Sequence, residues 1–176
     1  MTPESPETPE TPADGIAVRV LKDTHTFYGH DGSAWWSGGY APIGDDGEFL
    51  ALADHATSDP RVLFCAVAGA KHRPAALQDA RFQPRSELLL QAEPDNPHDA
   101  DAVGVWDQAG EVQVGYVPAE LSAAVAAELR AGKPVSAMVV REIRQDSDAG
   151  ARVTLHMIFT SHGALSLAIV SDPHRS

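Results

Sequence analysis

Apolar and polar residues alternate along most of this chain, and this alternation predicts a series of short β-strands. The first predicted strand is marked by Ile16, Val18 and Val20, which fall on one face. Further strands are predicted at residues 62–67, 87–91, 102–106, 112–117, 135–143 and 152–159. Many short strands with few helices are typical of a small β-barrel, either closed or partly open.

The period of the pattern changes after Val117. The apolar residues that follow are spaced by four and would share one helix face: Leu121, Val125 and Leu129. Pro118 suits the first helical position, and Gly132 followed by Pro134 provides a stop signal. We therefore predict a mainly β, α+β fold with one or two helices.

The chain divides into three segments of different composition. Residues 1–14 repeat Pro, Glu and Thr and contain four acids and no base, so we predict a disordered acidic tail. Residues 15–60 contain the first strand and a Gly- and Asp-rich extension. Its aromatic residues, Trp35, Trp36 and Tyr40, predict a hairpin that covers one end of the core, with a base-stacking platform as the less favoured alternative. Residues 61–172 contain the regular strand pattern.

The charge distribution limits the possible partners. A net charge of −12 argues against a protein that coats nucleic acid. Most of the excess of acidic residues lies in residues 1–60, however, because residues 61–176 hold fourteen acids against eleven bases. One part of this segment is locally basic through Lys71, His72, Arg73, Arg81 and Arg85. Such a site suits one or two phosphates rather than a long backbone.

Other common functions are disfavoured by what the sequence lacks. The single cysteine, Cys65, lies in an apolar run, so neither a disulfide framework nor a cysteine zinc site is expected. No run is long enough to span a bilayer, and the N-terminus does not resemble a signal peptide. We expect a cytoplasmic protein with no membrane partner and no cofactor.

A polar loop at residues 93–99 contains two prolines. Each proline fixes its own φ angle and favours an extended conformation in the residue before it. The side chains of Asn96, His98 and Asp99 should therefore be held in one geometry. A preorganised polar cluster of this kind suits recognition of a small polar group.

Several motifs together resemble the HIRAN domain family, over roughly residues 61–162. They are the Ala-Gly-Ala-Lys-His strand end at 68–72, the Glu-Pro-Asp-Asn-Pro-His-Asp-Ala loop at 93–100, the Val-Gly-Tyr-Val-Pro segment at 114–118 and the Leu-His-Met-Ile-Phe strand at 155–159. The resemblance implies an OB-like barrel that captures the 3′-hydroxyl end of single-stranded DNA during DNA repair or replication-fork processing.

The same resemblance implies the partners of the domain. HIRAN domains usually accompany a remodelling ATPase or a nuclease, but this sequence has no Gly-x-x-x-x-Gly-Lys-Ser/Thr phosphate loop. We therefore expect a stand-alone binding domain that is not an enzyme. A separate helicase, nuclease or repair protein would supply any catalysis.

The resemblance also implies roles for the polar residues. Asp99 matches the aspartate that accepts a hydrogen bond from the terminal 3′-hydroxyl, where its charge would repel a phosphate. Lys71, with Arg73 beside it, matches a basic position that contacts phosphate. Asn96 is expected to bond either to a base edge or sugar, or to the backbone of its own loop.

Flat side chains are expected to pack the terminal base. Phe159 matches the aromatic residue of the last strand of the family, and Tyr116 follows the Val-Gly motif. His72 and His98 occupy positions where the family has tyrosines. An alternating stripe that includes Phe159 is also typical of a core strand.

Two other functions remain open at this point. If His72, His98, Asp99 and His156 converge, they would provide zinc ligands for a hydrolase of phosphate-containing substrates. The acidic tail and the aromatic residues of 28–60 are instead compatible with a protein-interaction adaptor that has lost DNA binding.

Overall fold

The computed structural model describes residues 15–146 and 150–172; the predicted acidic tail at 1–14 lies outside these ranges. The strands are β1 Ile16–Lys22, β2 His25–Tyr28, β3 Ala34–Pro42, β4 Leu63–Ala66, β5 Glu87–Ala92, β6 Val103–Asp107, β7 Gln113–Tyr116, β8 Ser136–Gln145, β9 Ala151–Thr160 and β10 Leu165–Ile169. The α-helices are α1 Pro74–Leu77 and α2 Ala119–Arg130, and short 3₁₀ turns lie at Leu52–Asp54, Ala70–His72 and Ala80–Phe82. The mainly β prediction is confirmed.

Strand β8 is the centre of the sheet, because it pairs with β3, β5 and β9. β5 continues through β6 to β7, while β9 pairs on its other side with β4. β3 pairs with β1 and β2, and β1 runs parallel to β10. The strands form one ten-stranded sheet. Across residues 15–146 and 150–172, its ladders do not close into a complete barrel.

A single bridge joins the two arms of this sheet. Ala68, just after β4, exchanges backbone hydrogen bonds with Tyr116 of β7, with N···O distances of 2.8 and 2.9 Å. Close approach is possible because Gly115 has no Cβ; one built there would lie 2.4 Å from the Ala68 oxygen. The segment after β4 is thereby held against β7, where the candidate site lies.

The two faces of β9 pack in two different cores. Leu155, Met157 and Phe159 belong to a core that α2 covers, whereas Ile158 faces a second core. This division follows from the strand geometry, since successive side chains point to opposite faces. The second core also contains residues from the N-terminal segment, namely Ile16, Val18 and Val20. The N-terminal segment thus shares both a sheet and a core with the later strands.

The predicted helix is present, with a shift at its start. Pro118 precedes α2 as the capping residue instead of occupying its first position. Gly132, with φ of +76°, follows the C-terminus as expected. Val125 is buried in the core that α2 covers, and Leu121 and Leu129 pack partly buried against it. No helix within 15–146 or 150–172 is both long and apolar enough to cross a bilayer.

The predicted aromatic hairpin is formed by β2 and β3. Tyr40 packs against the second core. Trp35 instead lies beside Phe27, with ring planes 11° apart and centroids 6.3 Å apart. Phe27 and Tyr28 remain 40% and 76% exposed. The expectation that the aromatics cover the core therefore holds for Tyr40 but not for the ring pair at the hairpin tip.

Candidate nucleic-acid interface

The loop at 93–99 is held together by the side chain of Asn96. Its Oδ1 accepts hydrogen bonds from the backbone N–H groups of His98 and Asp99, at 2.9 and 3.2 Å. Its Nδ2 donates to Glu93 Oε2 at 3.0 Å. Of the two roles expected for Asn96, the structure therefore displays the one within the loop, which fixes the backbone that carries His98 and Asp99.

Asp99 and His98 are exposed at the end of this loop. Asp99 Oδ1 accepts a hydrogen bond from the backbone N–H of Asp101 at 2.8 Å. Its Oδ2 has no hydrogen-bond partner among residues 15–146 and 150–172. Arg130, at the end of α2, donates to Asp101 Oδ1 at 3.0 Å and to the Ala100 carbonyl at 2.9 Å. The loop is thus anchored on both sides of Asp99 while one carboxylate oxygen stays free.

The loop forms one wall of an open groove of about 300 Å³, which we call the end groove. It is lined by Ala68, Asn96, His98, Asp99, Ala102, Tyr116, Val117, Ala119 and Ser122. The opposite wall comes from β7 and the start of α2. Polar groups of the loop therefore face small apolar side chains and one aromatic ring across an open space.

Tyr116 reaches the end groove because of the bridge between β7 and Ala68. Its hydroxyl donates to Glu93 Oε2 at 3.1 Å. The guanidinium carbon of Arg73 lies 5.9 Å from the centroid of the Tyr116 ring, a cation–π distance. Tyr116 and Arg73, both predicted site residues, are brought together by this contact.

The basic segment is only partly available for a ligand. Gly69, with φ of +71°, begins the 3₁₀ turn that carries Lys71 and His72. Both side chains are exposed and have no ion pair within the described part of the chain. Arg81 instead lies 3.7 Å from Asp107 and 3.2 Å from Glu111, so its charge is compensated. A further predicted basic residue, Arg85, packs over Tyr40.

Phe159 does not line the end groove. It is 4% exposed in the α2-covered core and pairs with Leu63 and Ala137 in the neighbouring strands. It borders a different cavity of about 220 Å³, with Leu63 and Val125 among its neighbours. The alternating stripe of β9 thus places this ring as a core residue, which corrects the expectation that it packs a base in this groove.

The four residues considered as zinc ligands do not converge. His156 is 6% exposed and lies on the second-core face of β9, with its ring edge against Phe64. Burial, together with the charge of Arg141, lowers the pKa of His156 to about 4. No group of three or more His, Cys, Asp or Glu side chains in residues 15–146 and 150–172 is arranged to share a metal ion. The alternative metal site of His72, His98, Asp99 and His156 is therefore not formed among the described residues.

One polar residue of the site was not selected from the sequence. Glu93 accepts hydrogen bonds from both Asn96 and Tyr116, and a third from Gln113 Nε2 at 3.2 Å. The sequence signal was its position just before the first proline of the loop. Its partners, however, lie up to 23 residues away and become visible only in the fold.

Comparison with known proteins agrees with the motifs of the loop and its flanking strands. The sequence model of the HIRAN domain family matches residues 60–158, more than half of the chain. The crystal structure of the HIRAN domain of human HLTF is similar at 24% identity, covering 58% of this chain and 76% of that one, with a TM-score of 0.41. A crystal structure of a protein from Lactobacillus plantarum is similar at 19% identity, covering 56% and 98%, also with a TM-score of 0.41. No curated protein matches by sequence.

Proposed function

Because this chain belongs to the HIRAN domain family, a family of nucleic-acid-binding domains, we propose that it captures the free 3′-hydroxyl end of single-stranded DNA. HIRAN is a binding domain and not a catalytic one. Capture of an exposed end would serve DNA repair or the processing of replication forks. A separate helicase, nuclease or repair protein would then carry out the chemistry on the captured strand.

One observation carries this proposal: Asp99 presents a free carboxylate oxygen at the end groove. An ionised carboxylate accepts hydrogen bonds but donates none, so it suits a terminal hydroxyl. A strand that ends in phosphate would bring a second negative charge to the same place and lose the donor. A carboxylate at this point therefore favours a hydroxyl end over a phosphate end.

The surroundings of Asp99 support a short contact with the strand. Lys71 and Arg73 lie within five residues of the groove residue Ala68 and would neutralise one or two phosphates. The Tyr116 ring, with His98 on the loop side, offers flat surfaces for the terminal base. Few phosphates would be held in this way, which fits a chain with a net charge of −12.

The test compares one labelled single strand with two different ends. Affinities are measured by fluorescence anisotropy for the same sequence ending in 3′-hydroxyl or in 3′-phosphate, with the dye at the 5′ end. We expect at least about tenfold tighter binding of the hydroxyl form, as for one charge-assisted hydrogen bond gained or lost. Equal affinities, or no binding of either strand, would refute end capture. An RNA strand of the same sequence tests whether the sugar matters.

A further inference from the structure

We infer that Glu93 is a positioning residue that joins the two walls of the end groove and sets its selectivity for a hydroxyl end. This inference rests on the proposed function, and it concerns a residue to which the family resemblance assigned no role. Glu93 is the first residue of the loop and does not itself line the groove. Its effect on a ligand would therefore act through the residues that it holds.

The carboxylate of Glu93 receives hydrogen bonds from two different elements. From the loop, Asn96 Nδ2 donates to Oε2 at 3.0 Å. From β7, the Tyr116 hydroxyl donates to the same oxygen at 3.1 Å, and Gln113 Nε2 donates to Oε1 at 3.2 Å. One side chain thus ties the wall that carries Asp99 to the wall that carries Tyr116.

A carboxylate is the side-chain group that suits this arrangement. Donors approach both of its oxygens, and only a carboxylate offers acceptors at both ends. A glutamine would have one acceptor oxygen and would turn its amide toward either Gln113 or the pair formed by Asn96 and Tyr116. The oxygen should stay on the side of Asn96 and Tyr116, because that orientation satisfies two donors instead of one.

The space for this cluster is provided by Gly104 on the neighbouring strand β6. A Cβ at Gly104 would lie 2.8 Å from Glu93 Oε1, 2.8 Å from Gln113 Nε2 and 2.7 Å from Trp106 Nε1. Within the described residues, Trp106 Nε1 is buried and has no hydrogen-bond acceptor. Its Nε1 lies beside the same space as the Glu93 carboxylate without bonding to it.

Glu93 would affect ligand binding because it holds the side chain of Asn96. With its Nδ2 fixed by Glu93, the Asn96 amide keeps Oδ1 on the backbone N–H groups of His98 and Asp99. Without Glu93, this amide is free to rotate, and the backbone that carries Asp99 loses the support of Asn96, although Asp101 still binds the Asp99 carboxylate. The Tyr116 ring loses its hydroxyl anchor in the same event, so both proposed ligand contacts loosen together.

Three variants test this role: Glu93→Ala, Glu93→Gln and, as a control, Glu111→Gln, which changes an exposed acid in the turn between β6 and β7. Each is measured for thermal unfolding and for its affinity to the 3′-hydroxyl and 3′-phosphate strands. We expect Glu93→Ala to lower the ratio of the two affinities about tenfold. Glu93→Gln should restore most of the ratio, and Glu111→Gln should leave it unchanged.

The outcomes separate this inference from the proposed function. If the wild-type chain does not discriminate between the two ends, end capture itself fails. If the wild type discriminates and a folded Glu93→Ala variant keeps the same ratio, the role of Glu93 is refuted.

A second variant covers the case in which Glu93→Ala does not fold. Tyr116→Phe removes one donor to Glu93 and should shift the backbone amide resonances of His98 and Asp99 across the groove. Unchanged resonances would refute the coupling.

Discussion

Arg141 directs two guanidinium N–H groups at the same ring nitrogen of His156, with distances of 3.1 Å from Nε and 2.9 Å from Nη2 to Nδ1. Nδ1 must therefore be an unprotonated acceptor. The same guanidinium donates to Asp23 Oδ2 at 2.8 Å, and Asp23 Oδ1 lies 2.6 Å from His25 Nδ1. A chain of mostly buried polar groups thus connects the end of β1 to β8 and β9.

This arrangement predicts a loss of stability in mild acid. Burial and the charge of Arg141 lower the pKa of His156 to about 4, from its usual 6.5. Between pH 4 and pH 6.5, the unfolded chain therefore binds a proton at His156 that the native state does not bind. The free energy of unfolding reaches its full value above pH 6.5 and falls as the pH drops through this range. Unfolding by urea should show a free energy lower by about 1–2 kcal/mol at pH 5 than at pH 6.5.

A matched variant isolates the contribution of this histidine. His156→Gln keeps an oxygen that can accept from Arg141 but removes the titrating group, so its stability should change much less over the same pH range. Asp23 does not account for the difference. Burial alone would raise the pKa of Asp23, but Arg141 and His25 outweigh burial and lower it. A lowered carboxylate pKa changes the free energy of unfolding only below about pH 4. Parallel pH profiles for the variant and the wild type would contradict this assignment.

Features set by residues close in the sequence could be predicted, whereas contacts between residues far apart in the sequence could not. Strand positions were predicted well because alternation reports burial on one face, as at Val18 and Val20. The shape of the loop was also predictable, since its prolines and Asn96 act over a few residues. The contact of Arg141 with Asp23 spans 118 residues, and no local pattern indicates it.

The same limit explains the errors at the site. An alternating stripe cannot distinguish a core ring from a ligand-stacking ring, and Phe159 turned out to be in the core. Glu93 was overlooked because its partners on β7 belong to another strand. Strand β10 was not predicted either, since its pattern is short and its partner β1 is at the other end of the chain.

Replacing Gly115 with alanine should destabilise the fold and open the end groove. The added Cβ would lie 2.4 Å from the Ala68 oxygen and 2.7 Å from Val67 Cγ1, so the bridge to Ala68 must separate. We expect a loss of about 1–3 kcal/mol in urea unfolding. Gly38→Ala is the control, because its nearest contact would be 3.5 Å and it also lies in a strand. Equal stabilities for the two variants would show that the bridge adapts without cost.

Replacing Lys71 with glutamine should weaken binding of single-stranded DNA in a salt-dependent manner. If Lys71 contacts one phosphate, its loss should reduce the slope of log affinity against log salt concentration by about 0.7. The ratio between hydroxyl and phosphate ends should change little, since Lys71 would hold an internal phosphate. Lys133→Gln is the control, because Lys133 is paired with Glu128 at 2.8 Å. A slope unchanged by Lys71→Gln would remove this residue from the interface.

Replacing Asp99 with asparagine should abolish the preference for a hydroxyl end. The amide keeps an oxygen for the backbone N–H of Asp101, so the loop should fold as before. It loses the negative charge, however, and gains N–H groups that can donate to a phosphate. We expect affinity for the 3′-hydroxyl strand to fall about tenfold and the two ends to bind about equally. Asp95→Asn changes an exposed acid of the same loop and should leave both affinities unchanged. If Asp99→Asn keeps the wild-type preference while Asp95→Asn is neutral, the selective group lies elsewhere in the groove.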